Sequence, residues 1–283
     1  DGIFGNGKIE SIKKVIADIQ NKNRSVVVEP QEGVSCGERR TFLSFRGSAF
    51  VKITEGCSNH CSFCAIPLIR GELRSRKADD IVEEIENLVS KGIKEINLIG
   101  QDLAAYGTGF SDNVFGTGRT SLPIVSEMGS SFETDEKSGL ALLLEKISKI
   151  EGDFIVRLLY IHPDHFNKDI LPIMKSDNRF LPYFDIPFQS GDDKIIKAMN
   201  RIGSAQNYIS LVEEIKSVFP EAVLRTTFLT GFPGEDDFAA NNTKEFLMNI
   251  QSAWSGCFPY SREEDTPAYD MKKRVSPKVA QKR

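Results

Sequence analysis

The sequence predicts an α/β fold built on a parallel sheet, and two observations carry that prediction. From residue 49 onward, short runs rich in β-branched and aromatic residues alternate with stretches that are apolar at helical spacing. The gaps between successive runs leave room for a crossover helix, a connection that makes neighbouring strands parallel. Six such strands can curl into an incomplete barrel or lie flat as a doubly wound sheet, and periodicity does not separate the two. In either arrangement chemistry belongs at the C-terminal ends of the strands.

The elements follow in chain order. Residues 1–48 read as a lead-in with a Gly-rich start, a helical stretch around 9–19 and a polar connection. Strands are expected at 49–54, 95–99, 154–161, 183–188, 222–230 and 257–260. Ile81, Val82, Ile85, Leu88 and Val89 form one helical apolar face, with Gly92 where a C-cap belongs. Leu140, Leu143, Leu144, Ile147 and Ile150 form a second, and Ile209, Val212, Ile215 and Phe219 a third. Residues 107–139, rich in Gly, Ser and Thr, break the rhythm; the composition predicts disorder there rather than a functional flap.

Composition excludes several function classes. Of the 283 residues 40% are hydrophobic and 27% charged, enough apolar material for a substantial core without disulfide or metal staples. A formal net charge of −4 gives no bulk attraction to nucleic acid or an anionic membrane. No apolar run approaches the ~20 residues needed to cross a bilayer, and no signal peptide opens the chain. Three of the five cysteines lie within residues 57–64, which argues against a spread disulfide framework and for a metal or cluster site in a reducing, cytoplasmic compartment.

That loop follows the first core strand and reads Glu55-Gly56-Cys57-Ser58-Asn59-His60-Cys61-Ser62-Phe63-Cys64. Its gaps, C-x3-C-x2-C, let three thiolates face one centre. A cubane cluster usually takes four cysteines, so three leave one iron open, as a catalytic centre requires. The alternative is a non-enzymatic zinc module with His60 as fourth ligand, although structural zinc usually draws on two separated ligand pairs. Cys257, in the last strand, is expected as a buried small hydrophobe, and Cys36 as a residue without a role.

A C-x3-C-x-aromatic-C loop after the first strand of a β/α repeat resembles the signature of the radical S-adenosylmethionine (SAM) superfamily. The resemblance implies a [4Fe-4S] cluster on Cys57, Cys61 and Cys64, with SAM on the open iron and Phe63 near the adenine. It also implies the incomplete (β/α)6 barrel rather than the flat sheet. Four landmarks narrow it to the methylthiotransferases: Ala65 to Gly71 with Ser75-Arg76, Ile196 to Arg201, Gly231-Phe232-Pro233-Gly234-Glu235, and Phe258 to Ala268. In that reading residues 1–48 are the tail of an N-terminal domain plus a linker, 49–270 the catalytic core, and 271–283 a linker to a C-terminal domain.

Within that family, Ile99-Gly100-Gln101-Asp102, Tyr106-Gly107, Phe184 to Pro187, Leu224 to Thr227 and Tyr260 to Pro267 are similar to the branch that modifies an aspartate of a small-subunit ribosomal protein. Gln189-Ser190-Gly191 and Met199-Asn200-Arg201 resemble instead the tRNA-adenosine branch, whose members contact RNA. The balance favours the ribosomal protein. The implied chemistry uses one SAM to methylate a sulfur on a second [4Fe-4S] cluster, and another to form a 5′-deoxyadenosyl radical that abstracts hydrogen from the aspartate β-carbon. The sulfur-bearing cluster is expected in the N-terminal domain, and a reducing electron donor is required.

The remaining candidates come from position. Gln101 and Asp102 end the second strand and are expected to face the methionine part of SAM. Gly231, Gly234 and Glu235 follow the fifth strand, where permissive glycines let backbone approach the cofactor. Asp185 and Gln189 flank the fourth strand, and Arg70, Arg74 and Arg76 follow the cysteine loop; Arg70, Asp185 and Gln189 are candidates for substrate contact. Arg157 and Arg225, inside strands, fit buried ion pairs as well as substrate binding. His162 and His165 are expected as loop residues that complete no metal site.

Overall fold

A computed structural model describes residues 1–5, 11–28, 34, 47–108 and 137–283. Cys36, most of the 107–139 segment and much of the polar lead-in lie outside the described residues. In the lead-in, β1 (Gly2–Phe4) pairs in parallel with β2 (Ser25–Val27), and α1 (Ile12–Gln20) connects them.

The core begins with β3 (Ser48–Lys52). It is followed by the short pair β4 (Thr54–Glu55) and β5 (Arg74–Ser75), with α2 (Ile66–Arg70) between them, and then by α3 (Ala78–Ser90). Four strand–helix units come next: β6 (Glu95–Ile99) with α4 (Gly139–Ile147), β7 (Ile155–Leu158) with α5 (Ile170–Ser176), β8 (Phe180–Asp185) with α6 (Asp193–Ala198) and α7 (Ala205–Val218), and β9 (Val223–Thr230) with α8 (Asp237–Ile250). The chain closes with β10 (Trp254–Pro259) and α9 (Pro277–Lys282).

Strand order decides between barrel and flat sheet. The sheet runs β3-β6-β7-β8-β9-β10 with every pairing parallel. A doubly wound sheet reverses its order at a switch point; this one never does. Right-handed crossovers then place the helices on one face and curl the sheet toward an incomplete barrel. Ala49, Val51, Ile96, Leu98, Val156, Leu158, Leu224 and Phe228 pack into one core with the helices. The alternate residues line the inner face, where a cavity of about 740 Å³ is bordered by Phe50, Asn97, Arg157, Tyr183 and Arg225.

Local chemistry explains the helix starts. Ser138, Asp192, Ser204 and Asp236 each accept a hydrogen bond from a first-turn amide of α4, α6, α7 and α8. The acids Asp79 and Asp80 sit in the first turn of α3, where the helix dipole favours negative charge. Gly92 follows α3 as expected, its N–H bonded to the Val89 carbonyl at 2.9 Å.

Two expectations need correction. The first strand is not continuous to Thr54, because Thr54 and Glu55 leave the sheet to pair antiparallel with Arg74 and Ser75. Cys257 is exposed rather than buried, since β10 is an edge strand whose residues are largely solvent-accessible. Within residues 271–283, α9 (Pro277–Lys282) is fixed to the barrel. Arg283 bonds Glu235 and Asp237 at 2.7 Å, and Thr230 Oγ1 donates to the Ala280 carbonyl at 3.0 Å.

Candidate metal centre

The cysteine loop, which follows β4, lies at the C-terminal rim of the barrel, where the loops after β6, β7, β8 and β9 also emerge. Gly56 starts it with φ +78°, and a Cβ there would lie 2.1 Å from the Glu72 carbonyl oxygen. The clash is with backbone, so G56A is expected to lose about 2 kcal/mol or more of stability and most of its iron loading, read by urea titration and iron analysis. The loop is also tied downward: Cys57 N–H donates to Gly71 O at 3.1 Å, and Leu73 N–H to Ser58 Oγ at 3.1 Å.

Segments distant in sequence close on this loop. Ser62 donates from its hydroxyl to Ala198 O at 2.8 Å and from its N–H to Met199 O at 3.0 Å, and Ala268 N–H returns to Ser62 O at 2.8 Å. Asn200 Nδ2 donates to His60 O at 3.0 Å. Phe63 packs in an apolar cluster with Met199, Phe232 and Tyr260. The landmarks at 196–201, 231–235 and 258–268 thus converge on the cysteines.

Cys57 and Cys61 are buried, Cys64 is half-buried, and all three are free thiols. Burial pushes the Cys57 thiol up to about 12, and the charges of Cys61 and Cys64 add to the rise. Burial also raises Cys61 and Cys64, and the Arg201 guanidinium opposes it at both. Two buried thiols and a half-buried third, close enough to repel one another as thiolates, are a donor set that a bound cation would stabilise. His60 does not join them: it is exposed, and its Nε2 lies 3.9 Å from Glu72 Oε1. Its imidazole faces an exposed carboxylate, which does not favour the zinc arrangement with His60 as fourth ligand.

Sequence reasoning missed the support beneath the loop. Asp102 is 1% exposed and accepts from Asn59 Nδ2 at 3.0 Å, Ala104 N–H at 3.0 Å and His162 N–H at 3.3 Å, with His165 Nδ1 at 2.7 Å. Ligand atoms of Asp102, His162 and His165 lie within 4.8 Å of one another, contrary to the expectation for the two histidines, although Asp102 and His165 are already spent on each other. Position at a strand end singled out Asp102 but not the protein groups it binds. Only the polar rhythm of Asp102, His162 and His165 at two adjacent strand ends could have signalled the trio.

The Asp102–His165 pair makes stability depend on pH. Burial alone would lower His165, but the hydrogen bond and charge of Asp102 hold it above its ordinary 6.5. Burial alone would raise Asp102, but His165 holds it below its ordinary 3.8. A raised His stabilises fully below its unfolded pKa and loses that contribution as pH rises through the folded value; a depressed Asp contributes above its unfolded pKa and loses it as pH falls through the folded value. The stability difference between the metal-free chain and H165N is expected to be largest between pH 3.8 and 6.5 and to narrow above it, in urea midpoints across pH.

Other candidates divide. Gln101 is exposed at the rim. Gln189 adopts φ +69°, and its buried Oε1 has no hydrogen-bond partner among the described residues. Gly231 has φ +75°, and a Cβ there would lie 2.4 Å from Ala280 Cβ of α9. Glu235 accepts from Gly231 N–H at 3.0 Å and pairs with Arg283, and Gly234 N–H donates to Lys273 O at 3.0 Å. Arg70 pairs with the buried Glu55 at 3.0 Å, and Arg76 with Glu84 at 2.5 Å. Asp185 pairs with Arg225 at 2.7 Å and Glu95 with Arg157 at 3.1 Å, the ion-pair option for both strand arginines.

Comparison with known proteins agrees with this geometry. The model of the radical SAM superfamily matches residues 51–247. A ribosomal protein uS12 methylthiotransferase RimO from Treponema denticola is 51% identical over the whole chain, which spans 61% of that relative. A RimO from a Thermotoga species is 36% identical over 95% of the chain and 57% of its own length. Among solved structures, the radical SAM methyltransferase TsrM from Kitasatospora setae aligns with TM-score 0.57 at 14% identity, over 79% of this chain and 36% of its own. Coproporphyrinogen III oxidase (HemN) from Escherichia coli, a radical SAM enzyme, aligns with TM-score 0.54 at 13% identity, over 83% and 50%. At those identities the structures speak for the fold alone, whereas the family match covers most of the chain and its whole cysteine loop: the chain belongs to the radical SAM superfamily.

Proposed function

We propose that Cys57, Cys61 and Cys64 hold the [4Fe-4S] cluster, leaving one iron for SAM, and that the chain is the core of a methylthiotransferase acting on the β-carbon of an aspartate in ribosomal protein uS12. The observation that carries this reading is the closure of the 196–201, 231–235 and 258–268 segments on a loop that carries three free thiols at the C-terminal rim of a parallel barrel. The 51% identity to a uS12 methylthiotransferase along the whole chain supports the substrate.

When bound, the cluster supplies the electron for reductive cleavage of SAM, giving a 5′-deoxyadenosyl radical able to take hydrogen from a C–H bond too weakly acidic for a side-chain base. The protein's part is placement and exclusion of side reactions. Asn59 held by Asp102, and Ser62 held by Ala198 and Met199, fix the loop that carries the three thiols. Phe63, backed by Phe232, offers an apolar wall for the adenine. Gln101 and the unpartnered Oε1 of Gln189 are polar groups available to SAM or substrate. The sulfur source in this reading is a second [4Fe-4S] cluster on residues outside this chain, and electrons come from a reducing cytoplasmic donor. Among the described residues no helix is long and apolar enough to cross a membrane.

The test supplies the chain, together with the sulfur-bearing domain, with uS12 and in parallel with tRNA under reducing anaerobic conditions. Mass spectrometry is expected to find a methylthio group in place of one hydrogen on a uS12 aspartate. Modified adenosine with unmodified uS12, and tRNA binding that weakens steeply with salt, would overturn the substrate assignment.

A further inference from the structure

Behind Cys61 lie two buried nitrogen groups that the proposed chemistry does not use. His162 is 9% exposed, and its Nε2 sits 3.8 Å from Cys61 Sγ. Its tautomer follows from its other nitrogen. Asp164 N–H donates to His162 Nδ1 at 3.3 Å, so Nδ1 accepts and the proton of the neutral ring is on Nε2, facing the sulfur. The geometry is locked from behind: Asp164 accepts from Tyr208 Oη at 2.6 Å, Ile202 N–H at 2.9 Å and Gly203 N–H at 3.1 Å, while Asp102 holds His162 N–H.

Arg201 is the second group. It is 7% exposed and donates from Nη1 to the carbonyls of Pro187 at 2.7 Å and Phe188 at 3.4 Å, while its Nε has no partner among the described residues. Its hydrogen bonds go to carbonyl oxygens, and the buried Asp164 carboxylate lies within reach of its charge. Its field acts on the thiols of both Cys61 and Cys64. A cubane on three thiolates carries net negative charge, and reduction adds one more unit. Arg201 is thus a cation placed where that anion would form.

We propose that His162 and Arg201 are positioning residues that set the reduction potential of the cluster, His162 by donating to the Cys61 sulfur and Arg201 by countering the cluster's charge. Both act in the same direction. A hydrogen bond to a ligating sulfur and a nearby cation each favour the more negative, reduced state and raise the potential. A radical SAM cluster must be reduced to work, so the pair eases the electron's entry. This inference rests on the assignment of the cluster to the three cysteines.

The test is a redox titration followed by electron paramagnetic resonance, on the anaerobically reconstituted chain and on H162F, H162Q, R201M and R201K. The midpoint does not depend on how fully a sample is loaded, so a variant that loads partly still reports. H162F and R201M are each expected to lower the reduced fraction at fixed ambient potential about tenfold, a shift of about 59 mV for a one-electron couple. H162Q, which keeps an N–H donor, and R201K, which keeps the charge, are expected to recover most of it. Loaded H162F and R201M titrating with the unaltered chain would overturn this inference alone. An unaltered chain that takes up no iron would overturn it together with the cluster assignment.

Discussion

Replacing Cys61 by alanine is expected to leave the fold standing and remove the iron. Deleting one buried sulfur costs on the order of 1 kcal/mol, and apart from the His162 contact to the sulfur the segments that close on the loop do so through Asn59, Ser62 and Phe63. Two thiolates do not hold a cubane that needs three. Iron is therefore expected to fall from about four per chain to a small residue after reconstitution and desalting, with loss of the brown colour, while the urea midpoint barely moves. Cys257→Ala is the control. That thiol is exposed on the edge strand β10, and its loss is expected to leave iron content unchanged. Equal iron in C61A and the unaltered chain would remove Cys61 from the ligand set.

Asp102→Ala is expected to have the largest effect on stability. The carboxylate is 1% exposed and serves Asn59, Ala104, His162 and His165 together. Its removal strands an imidazole and two backbone amides in the interior, and breaking a buried ionic network by deleting one partner costs about 3–5 kcal/mol. The loss is expected in the metal-free chain, by urea denaturation, with D102N losing less because its amide oxygen still accepts. A cofactor contact alone predicts otherwise: D102A would match the unaltered chain without metal and differ only when SAM is bound.

The fold was legible where the signal is local. Alternating strand and helix patterns placed six sheet strands and the helices now seen as α3, α4 and α7, because each buries one face at its own period. Strand order was not legible, since pairing joins residues far apart in sequence, and that order separates the barrel from the flat sheet. α8 was missed because Asn241, Asn242 and Thr243 dilute its pattern, although Ala239, Phe246 and Ile250 are buried at helical spacing. α5 was hidden by Pro172, which the first turn of a helix tolerates.

The site divides along the same line. Three cysteines within eight residues announce themselves, whereas Asn59–Asp102 and Cys61–His162 are contacts across 43 and 101 residues. Arg201 stood in a segment singled out for its resemblance, yet its place beside Cys61 depends on α6 returning to the cysteine loop. Glu235 and Gly231 sit at a strand end and still turn to α9, because position at the rim does not fix which neighbour a side chain meets.

The central claim is that three cysteines on a barrel rim form a centre that cleaves SAM reductively. The most direct measurement is 5′-deoxyadenosine formed by the anaerobically reconstituted chain from SAM and a strong reductant, with C61A alongside. The account predicts a brown protein that makes 5′-deoxyadenosine and a variant that makes none above background. A colourless protein that retains zinc and yields no 5′-deoxyadenosine would contradict it.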